Sequence, residues 1–110
     1  MKLIVAIVQD EDAGRLVSEL MDKGFGVTKL ATTGGFLRAG NTTLISGVED
    51  DKLDGALAII ERICKSREQI TASATHMSGG ASGVSVPYPI KVTVGGATVF
   101  VLEVSQFLKV

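Results

Sequence analysis

A glycine-rich stretch at residues 32–43, TTGGFLRAGNTT, carries most of the groups in this chain that could bind a small molecule. Its adjacent glycines, Gly34 and Gly35, tolerate the positive φ angles with which successive backbone N–H groups form an anion-binding concavity. An apolar Phe-Leu pair follows, and Arg38 then supplies planar donors that suit a phosphate group. Asn41 and the threonines add donors and acceptors for a base edge or a sugar. Together these groups predict a nucleotide site.

Length, charge and hydropathy exclude several classes of function. The chain has 110 residues, enough for one domain with a single core. A formal net charge of −1 gives no basic surface for a nucleic-acid polymer. Hydrophobic residues make up 45% of the chain, yet no apolar run approaches the roughly 20 residues of a membrane-spanning helix. We therefore expect no membrane contact, and we expect the apolar excess to be buried in a subunit interface.

The cysteine count and the N-terminal segment indicate the cytoplasm. A single cysteine excludes an intrachain disulfide framework and fits a reducing compartment. The opening residues, MKLIVAIV, have neither the length nor the cleavage pattern of a secretory signal peptide.

No combination of residues predicts catalysis. His76 is the only histidine, and with one cysteine it matches no metal-ligand spacing. Cys64 falls on the apolar stripe of a predicted helix, which favours an inert buried thiol over a nucleophile. The acidic clusters at 9–12 and 49–51 are typical of helix N-termini and need no paired-carboxylate chemistry. We therefore expect no enzyme activity, no metal and no cofactor.

Hydrophobic periodicity predicts the elements that position the glycine-rich stretch. Residues 2–8 are continuously apolar, which indicates a central strand. A helix follows with Asp10 as its N-cap, and Gly24 is placed to end it in a left-handed conformation. Strands at 26–31 and 42–48 flank the stretch, which makes it the connection of a hairpin, and a second helix comes next. The predicted buried stripes of the two helices are Ala13, Leu16, Val17, Leu20 and Met21, and Leu53, Ala56, Leu57, Ile60, Ile63 and Cys64.

The C-terminal half gives weaker signals. Residues 66–88 are rich in Ser, Thr, Ala and Gly and predict a flexible loop, as do residues 33–41. Strands at 90–94 and 97–104 are predicted to form a hairpin through Gly95-Gly96. The element order predicts one α+β domain over all 110 residues, a ferredoxin-like sheet with both helices on one face and an extra C-terminal strand. The opposite face is largely apolar, and we expect self-association to bury it.

The stretch and its flanks, KLATTGGFLRAGNTT from Lys29 to Thr43, closely resemble the signature of the PII-like cyclic di-AMP receptors. The likeness covers nearly the whole chain. It includes MKLIVAIVQD at the N-terminus, REQ at 67–69, PYP at 87–89 and VGGATVFV at 94–101. The resemblance implies a homotrimeric, ferredoxin-like signal-transduction protein that binds cyclic di-AMP at three subunit interfaces and acts on a downstream protein partner.

The resemblance also implies which residues hold the dinucleotide. At the matching positions, Thr28 and Gly47 would read one adenine through hydroxyl and backbone groups, and Asn41 would hydrogen-bond the nucleotide. The hairpin loop would supply backbone donors and apolar cover. The loop residues with that role are Gly35, Phe36 and Leu37, and the weaker candidates for ligand contact are Val27, Arg38 and Phe100.

One segment departs from the family pattern. Members often carry a polar segment with an arginine just before the second strand, where it can approach phosphate. This chain has Gly24-Phe25-Gly26-Val27 there. Loss of a charge-assisted bond to phosphate predicts a lower affinity, or replacement of that bond by Arg38 or a loop lysine.

Two other functions fit the same predicted fold. A PII-type sensor of ATP or ADP would regulate a transporter or an enzyme, but such sensors bring basic residues from the loop after the second helix, where this chain has only Arg67 near the start. An enzyme like the small acylphosphatases and mutases is the second alternative. These enzymes need an arginine with an asparagine, or a histidine, in a rigid pocket, whereas the sole histidine here, His76, lies in a Ser/Gly-rich segment. The leading interpretation is a cytoplasmic, non-enzymatic receptor in which cyclic di-AMP orders residues 34–40 and part of 66–88.

Overall fold

The computed structural model describes residues 1–30, 40–73 and 88–110. Within these ranges the chain forms six strands and two α-helices. In chain order they are β1 (Lys2–Gln9), α1 (Asp10–Asp22), β2 (Thr28–Leu30), β3 (Asn41–Val48), α2 (Leu53–Cys64), β4 (Arg67–Ser73), β5 (Tyr88–Val94) and β6 (Ala97–Glu103). A 3₁₀ turn, Asp50–Lys52, leads into α2. Both predicted helices, the first strand and the two strands that flank the glycine-rich stretch are present.

Four strands form one antiparallel sheet in the order β2–β3–β1–β6. The two helices pack on each other and on the side of β1 where Ile4, Ala6 and Val8 are buried. An antiparallel sheet with two helices on one face is an α+β fold, and this strand order is consistent with the predicted ferredoxin-like arrangement. Of the helices in the described part of the chain, none is long and apolar enough to cross a membrane.

The C-terminal half differs from the sequence prediction in its strand pairing. Residues 67–73, predicted as loop, form β4, which pairs with β5 in a separate two-stranded ribbon. Gly95 and Gly96 do not close a β5–β6 hairpin, because β6 pairs with β1. The fourth strand of the main sheet is thus β6, and the addition to the fold is the β4–β5 ribbon rather than an extra C-terminal strand.

Pairing between distant segments explains the missed strand. The composition of residues 67–73 is polar, and strand formation there depends on cross-strand contacts with β5 more than on local propensity. Residues 74–87 of the predicted loop lie outside the described residues.

The core between the helices and the sheet matches most of the two predicted stripes. Ile4, Val8, Leu16 and Cys64 are its largest fully buried side chains. Met21 is an exception, since 60% of its surface is exposed. At 100° per residue, Met21 lies roughly 100° around α1 from the buried positions, which turns it away from the sheet.

The C-terminus of α1 has the predicted left-handed ending. Gly24 has a φ of +87°. Its N–H donates to the carbonyl of Met21 at 3.0 Å, and the N–H of Phe25 donates to the carbonyl of Leu20 at 3.0 Å. This pair of bonds is a Schellman motif, so the role predicted for Gly24 is confirmed.

At the N-terminus of α1 the predicted cap is wrong by one residue. Gln9 occupies the N-cap position and Asp10 is the first helical residue, because β1 runs into the helix without a linker. The Asp10 carboxylate instead accepts a hydrogen bond from the Thr42 hydroxyl on β3.

Burial of Cys64 predicts a pH dependence of stability. Its side chain is 1% exposed, and burial, with a smaller contribution from Asp12, raises the pKa of the thiol from 9.0 to about 11. A raised folded-state pKa stabilises the fold below pH 9, and this contribution is lost between pH 9 and 11. We expect the free energy of unfolding, measured by denaturant titration, to fall over that interval more steeply than in Cys64→Ala. Parallel pH profiles for the two proteins would contradict this expectation.

Candidate functional site

The helices leave one side of the sheet uncovered, and we call it the open face. Because Ile4, Ala6 and Val8 point into the core, the alternate residues of β1 point to the open face. Directly paired residues of antiparallel strands share a side, so the register assigns the positions on the other strands too. The open-face residues are Leu3, Val5, Ile7, Gln9, Thr28, Leu30, Asn41, Thr43, Ile45, Gly47, Thr98, Phe100 and Leu102.

One row of this face joins two predicted ligand-binding residues. Thr28 on β2 is paired with Ile45 on β3. Ile45 is paired with Val5 on β1, and Val5 with Phe100 on β6. Thr28 is exposed, and 54% of the Phe100 surface is exposed. The row therefore presents a hydroxyl at one edge of the sheet and an aromatic ring at the other.

Asn41 and Gly47 extend the predicted site along β3. They lie at opposite ends of the open-face positions of this strand, about 20 Å apart at the usual rise per residue. The Thr28 row crosses β3 between them. The register thus places Thr28, Asn41, Gly47 and Phe100 on one surface, and their spread is longer than a single purine ring.

Val27 lies on the other side of the sheet. It precedes β2 and packs against the core, beside Ala13 and Val17 of α1. Alternation along the chain explains this placement, since Thr28 points to the open face. Val27 is therefore a packing residue in this structure and does not join the other candidates.

The remaining predicted residues belong to the hairpin loop. Gly35, Phe36, Leu37 and Arg38 lie outside the described residues, and their assignment to the site stays a prediction.

A polar cleft of about 280 Å³ lies beside Asn41, at the end of the sheet where the hairpin loop and the ribbon begin. The backbone of Gly95 contributes to its wall, and the Gly95 N–H donates to Oε1 of Gln9 at 2.6 Å. Gln9 is in turn the direct strand partner of Asn41. The cleft is lined by Ile7, Gln9, Asn41, Gly95, Gly96, Ala97 and Thr98.

Sequence reasoning missed Gln9, Gly95 and Thr98 as members of this cleft. Gly95 was interpreted as a hairpin turn and Gln9 as part of a helix start. Gln9 and Gly95 are 86 positions apart, and no local pattern signals a contact over that separation. The alternation of β6 about Phe100 is the one signal that could have placed Thr98 on the open face.

Among the described residues, the open face presents groups for hydrogen bonds and apolar contacts. Its polar side chains are hydroxyls and amides, and none of the positions assigned to it by the register is charged. In the described ranges, no group of three or more His, Cys, Asp or Glu side chains could hold a metal ion. His76 lies outside those ranges. This chemistry fits recognition of a neutral base and a sugar.

A family model described as cyclic-di-AMP receptor matches residues 1–110. The chain is also similar to a protein of unknown function from Pediococcus pentosaceus, known from a crystal structure. The two are 44% identical, the match covers 99% of this chain and 96% of the other, and the TM-score is 0.77.

Proposed function

Because this chain belongs to the cyclic-di-AMP receptor family, we propose that it is a non-enzymatic, cytoplasmic receptor that binds cyclic di-AMP on its open face. The observation that carries the proposal is the placement of Thr28, Asn41 and Gly47 on one uncharged surface. Thr28 and Gly47 would contact one adenine, and Asn41 the far part of the dinucleotide. Arg38 and the loop residues Gly35, Phe36 and Leu37 would close over the phosphates.

We propose in addition that the receptor is a PII-like homotrimer with the ligand between subunits. The open face carries exposed apolar side chains, among them Leu30, Phe100 and Leu102. Beyond β6, Phe107 and Leu108 are 65% and 77% exposed. Apolar surface of this extent is typical of a subunit interface. A neighbouring copy would bury it and supply the second wall of the ligand site.

The charge of the open face favours a cyclic dinucleotide over ATP. ATP carries more negative charge than cyclic di-AMP, and proteins meet such charge with Arg and Lys side chains. The strand positions that the register assigns to this face include no cation. The length of the site, set by Asn41 and Gly47, also suits a ligand with two bases.

Calorimetric titration of the full chain with cyclic di-AMP, ATP and cyclic di-GMP tests the proposal. We expect saturable heat with cyclic di-AMP and far weaker binding of the other two. Size-exclusion chromatography with light scattering gives the oligomeric state of the same sample. A folded trimer that gives no heat with cyclic di-AMP would overturn the ligand assignment, and tight binding of ATP would favour a PII-type sensor instead.

Asn41→Ala should weaken cyclic di-AMP binding by roughly tenfold or more. An unmade hydrogen bond to a desolvated ligand group costs about 1–3 kcal/mol, and 1.4 kcal/mol is a factor of ten in affinity. Asn41 is only partly buried at the end of β3, so we expect the oligomer to persist. Asp51→Ala, on the exposed 3₁₀ turn, is the matched control. Equal affinities for the two variants would remove Asn41 from the site.

A further inference from the structure

We propose that Gln9 and the first turn of α1 form a joint that transmits ligand binding from the hairpin loop to the β4–β5 ribbon. This inference rests on the proposed function, since it concerns how the site acts on the rest of the molecule. The joint is the segment Gln9–Asp12, in which Asp10 contacts Gly40 and Thr42 beside the hairpin loop. Gln9 and Asp12 contact the residues at the base of the ribbon.

The joint holds the root of the hairpin loop through Asp10. The Asp10 N–H donates to the carbonyl of Gly40 at 2.8 Å, directly after the loop. The Asp10 carboxylate accepts a hydrogen bond from the hydroxyl of Thr42, which is next to the predicted ligand-binding residue Asn41. Displacement of Gly40, Asn41 or Thr42 on ligand binding would therefore act on the first turn of α1.

The same segment holds the root of the ribbon through Asp12. Nη2 of Arg67, the first residue of β4, lies 2.8 Å from Oδ1 of Asp12, and Nη1 lies 3.3 Å from Oδ2. The Nη1 group also donates to the carbonyl of Lys65 at 3.1 Å. The hydrogen bond with Asp12 is the main cause that raises the pKa of the Arg67 guanidinium.

Because Asp12 is buried, its carboxylate depends on Arg67 for compensation of its charge. The Asp12 residue is 5% exposed, so its carboxylate has little access to water. A buried carboxylate is tolerated when a cation and hydrogen bonds compensate it. Arg67 provides both, so movement of the ribbon root away from α1 would leave a buried charge without a partner.

Gln9 forms a second hydrogen-bonded contact, at the end of the other ribbon strand. Its Oε1 accepts the N–H of Gly95, just after β5, at 2.6 Å. Arg67 and Gly95 thus fix both strands of the ribbon at the end nearest the sheet. Away from its root, the described ribbon strands pack mainly against each other, and Ile70 is 72% exposed. The joint therefore contributes to the orientation of the ribbon, together with the Gly96 N–H, which donates to the carbonyl of Cys64.

Amide hydrogen exchange combined with calorimetry tests the joint. In the wild-type protein, cyclic di-AMP should slow exchange of the β4 and β5 amides several-fold. Asp12→Asn keeps the size of the side chain and removes its charge. We expect this variant to bind cyclic di-AMP within about threefold of wild type while losing most of the ligand-induced protection in the ribbon. Arg67→Lys, altered on the more exposed partner, should show a partial loss.

Glu19→Gln is the matched control, because it breaks a second α1 ion pair, to Arg62, at 3.3 Å, which does not involve the described ribbon residues. It should keep both binding and ribbon protection. Full protection in Asp12→Asn and Arg67→Lys, or protection lost equally in Glu19→Gln, would overturn the joint. Wild-type binding without a ribbon response would overturn the joint alone, whereas absence of binding would overturn the proposed function together with it.

Discussion

Gly47→Val should reduce cyclic di-AMP binding at least about 100-fold, equivalent to about 2.7 kcal/mol, with the monomer fold intact. Gly47 lies on the open face, where its missing side chain leaves room for the predicted adenine. Among the described residues, a Cβ atom there would meet only the sulfur of Met1 within 4 Å, at 3.9 Å. Strand positions also favour β-branched residues. The added volume should therefore fall on the ligand and leave the core unaffected.

Calorimetry measures this effect, and circular dichroism checks the fold. Gly55→Ala is the matched control, because Gly55 on α2 also has open space around its Cα and lies on the helix side. Light scattering of the same samples separates loss of ligand from loss of assembly. Retention of wild-type affinity by a folded Gly47→Val protein would show that no ligand group approaches this position.

Gly95→Ala should lower the free energy of unfolding by about 2–3 kcal/mol, the sum of left-handed strain and a lost backbone hydrogen bond. Gly95 has a φ of +84°. A Cβ atom would lie 2.6 Å from the carbonyl oxygen of Lys65 and 2.6 Å from Nη1 of Arg67. The backbone would have to shift, and the Gly95 bond to Gln9 would be displaced with it.

Gly96→Ala separates the cost of a left-handed backbone from the cost of close approach to neighbouring atoms. Gly96 has a similar φ of +91°, yet a Cβ atom there meets no atom of the described part of the chain within 4 Å. We expect this control to lose only the conformational part, about 1–2 kcal/mol. Denaturant titrations followed by circular dichroism give both values. Equal losses would mean that close approach to Lys65 and Arg67 has no energetic role.

Local sequence patterns were sufficient to predict the helices and the central strand on which they pack. The i, i+3, i+7 spacing of Ala13, Leu16 and Leu20 predicts α1, and the position of Gly24 predicts its ending, because both signals act within a few residues. The apolar run of β1 likewise predicts a central strand. The strand register adds what periodicity alone leaves open, namely which neighbours flank β1.

Long-range pairing set the limit of prediction. A glycine pair such as Gly95-Gly96 is compatible with a tight hairpin, but β6 pairs with β1, a strand about 90 residues earlier, at the edge of the main sheet. The same limit applies to the site. The resemblance implies ligand contacts for Thr28, Asn41 and Gly47, whereas the contact of Gln9 with Gly95 depends on the assembled sheet and ribbon.

The alternation of β3 has a consequence for how this protein can evolve. Even-numbered positions such as Leu44 and Ser46 are buried on the helix side, whereas odd-numbered positions such as Asn41 and Gly47 form the open face. Under the proposed function, we expect substitution at the less buried odd positions, such as Gly47, to alter ligand binding and to leave the core intact. A one-residue insertion or deletion inside β3 would exchange the two sets of side chains and destroy core and site together. We therefore expect changes in length to be tolerated before and after this strand and not inside it.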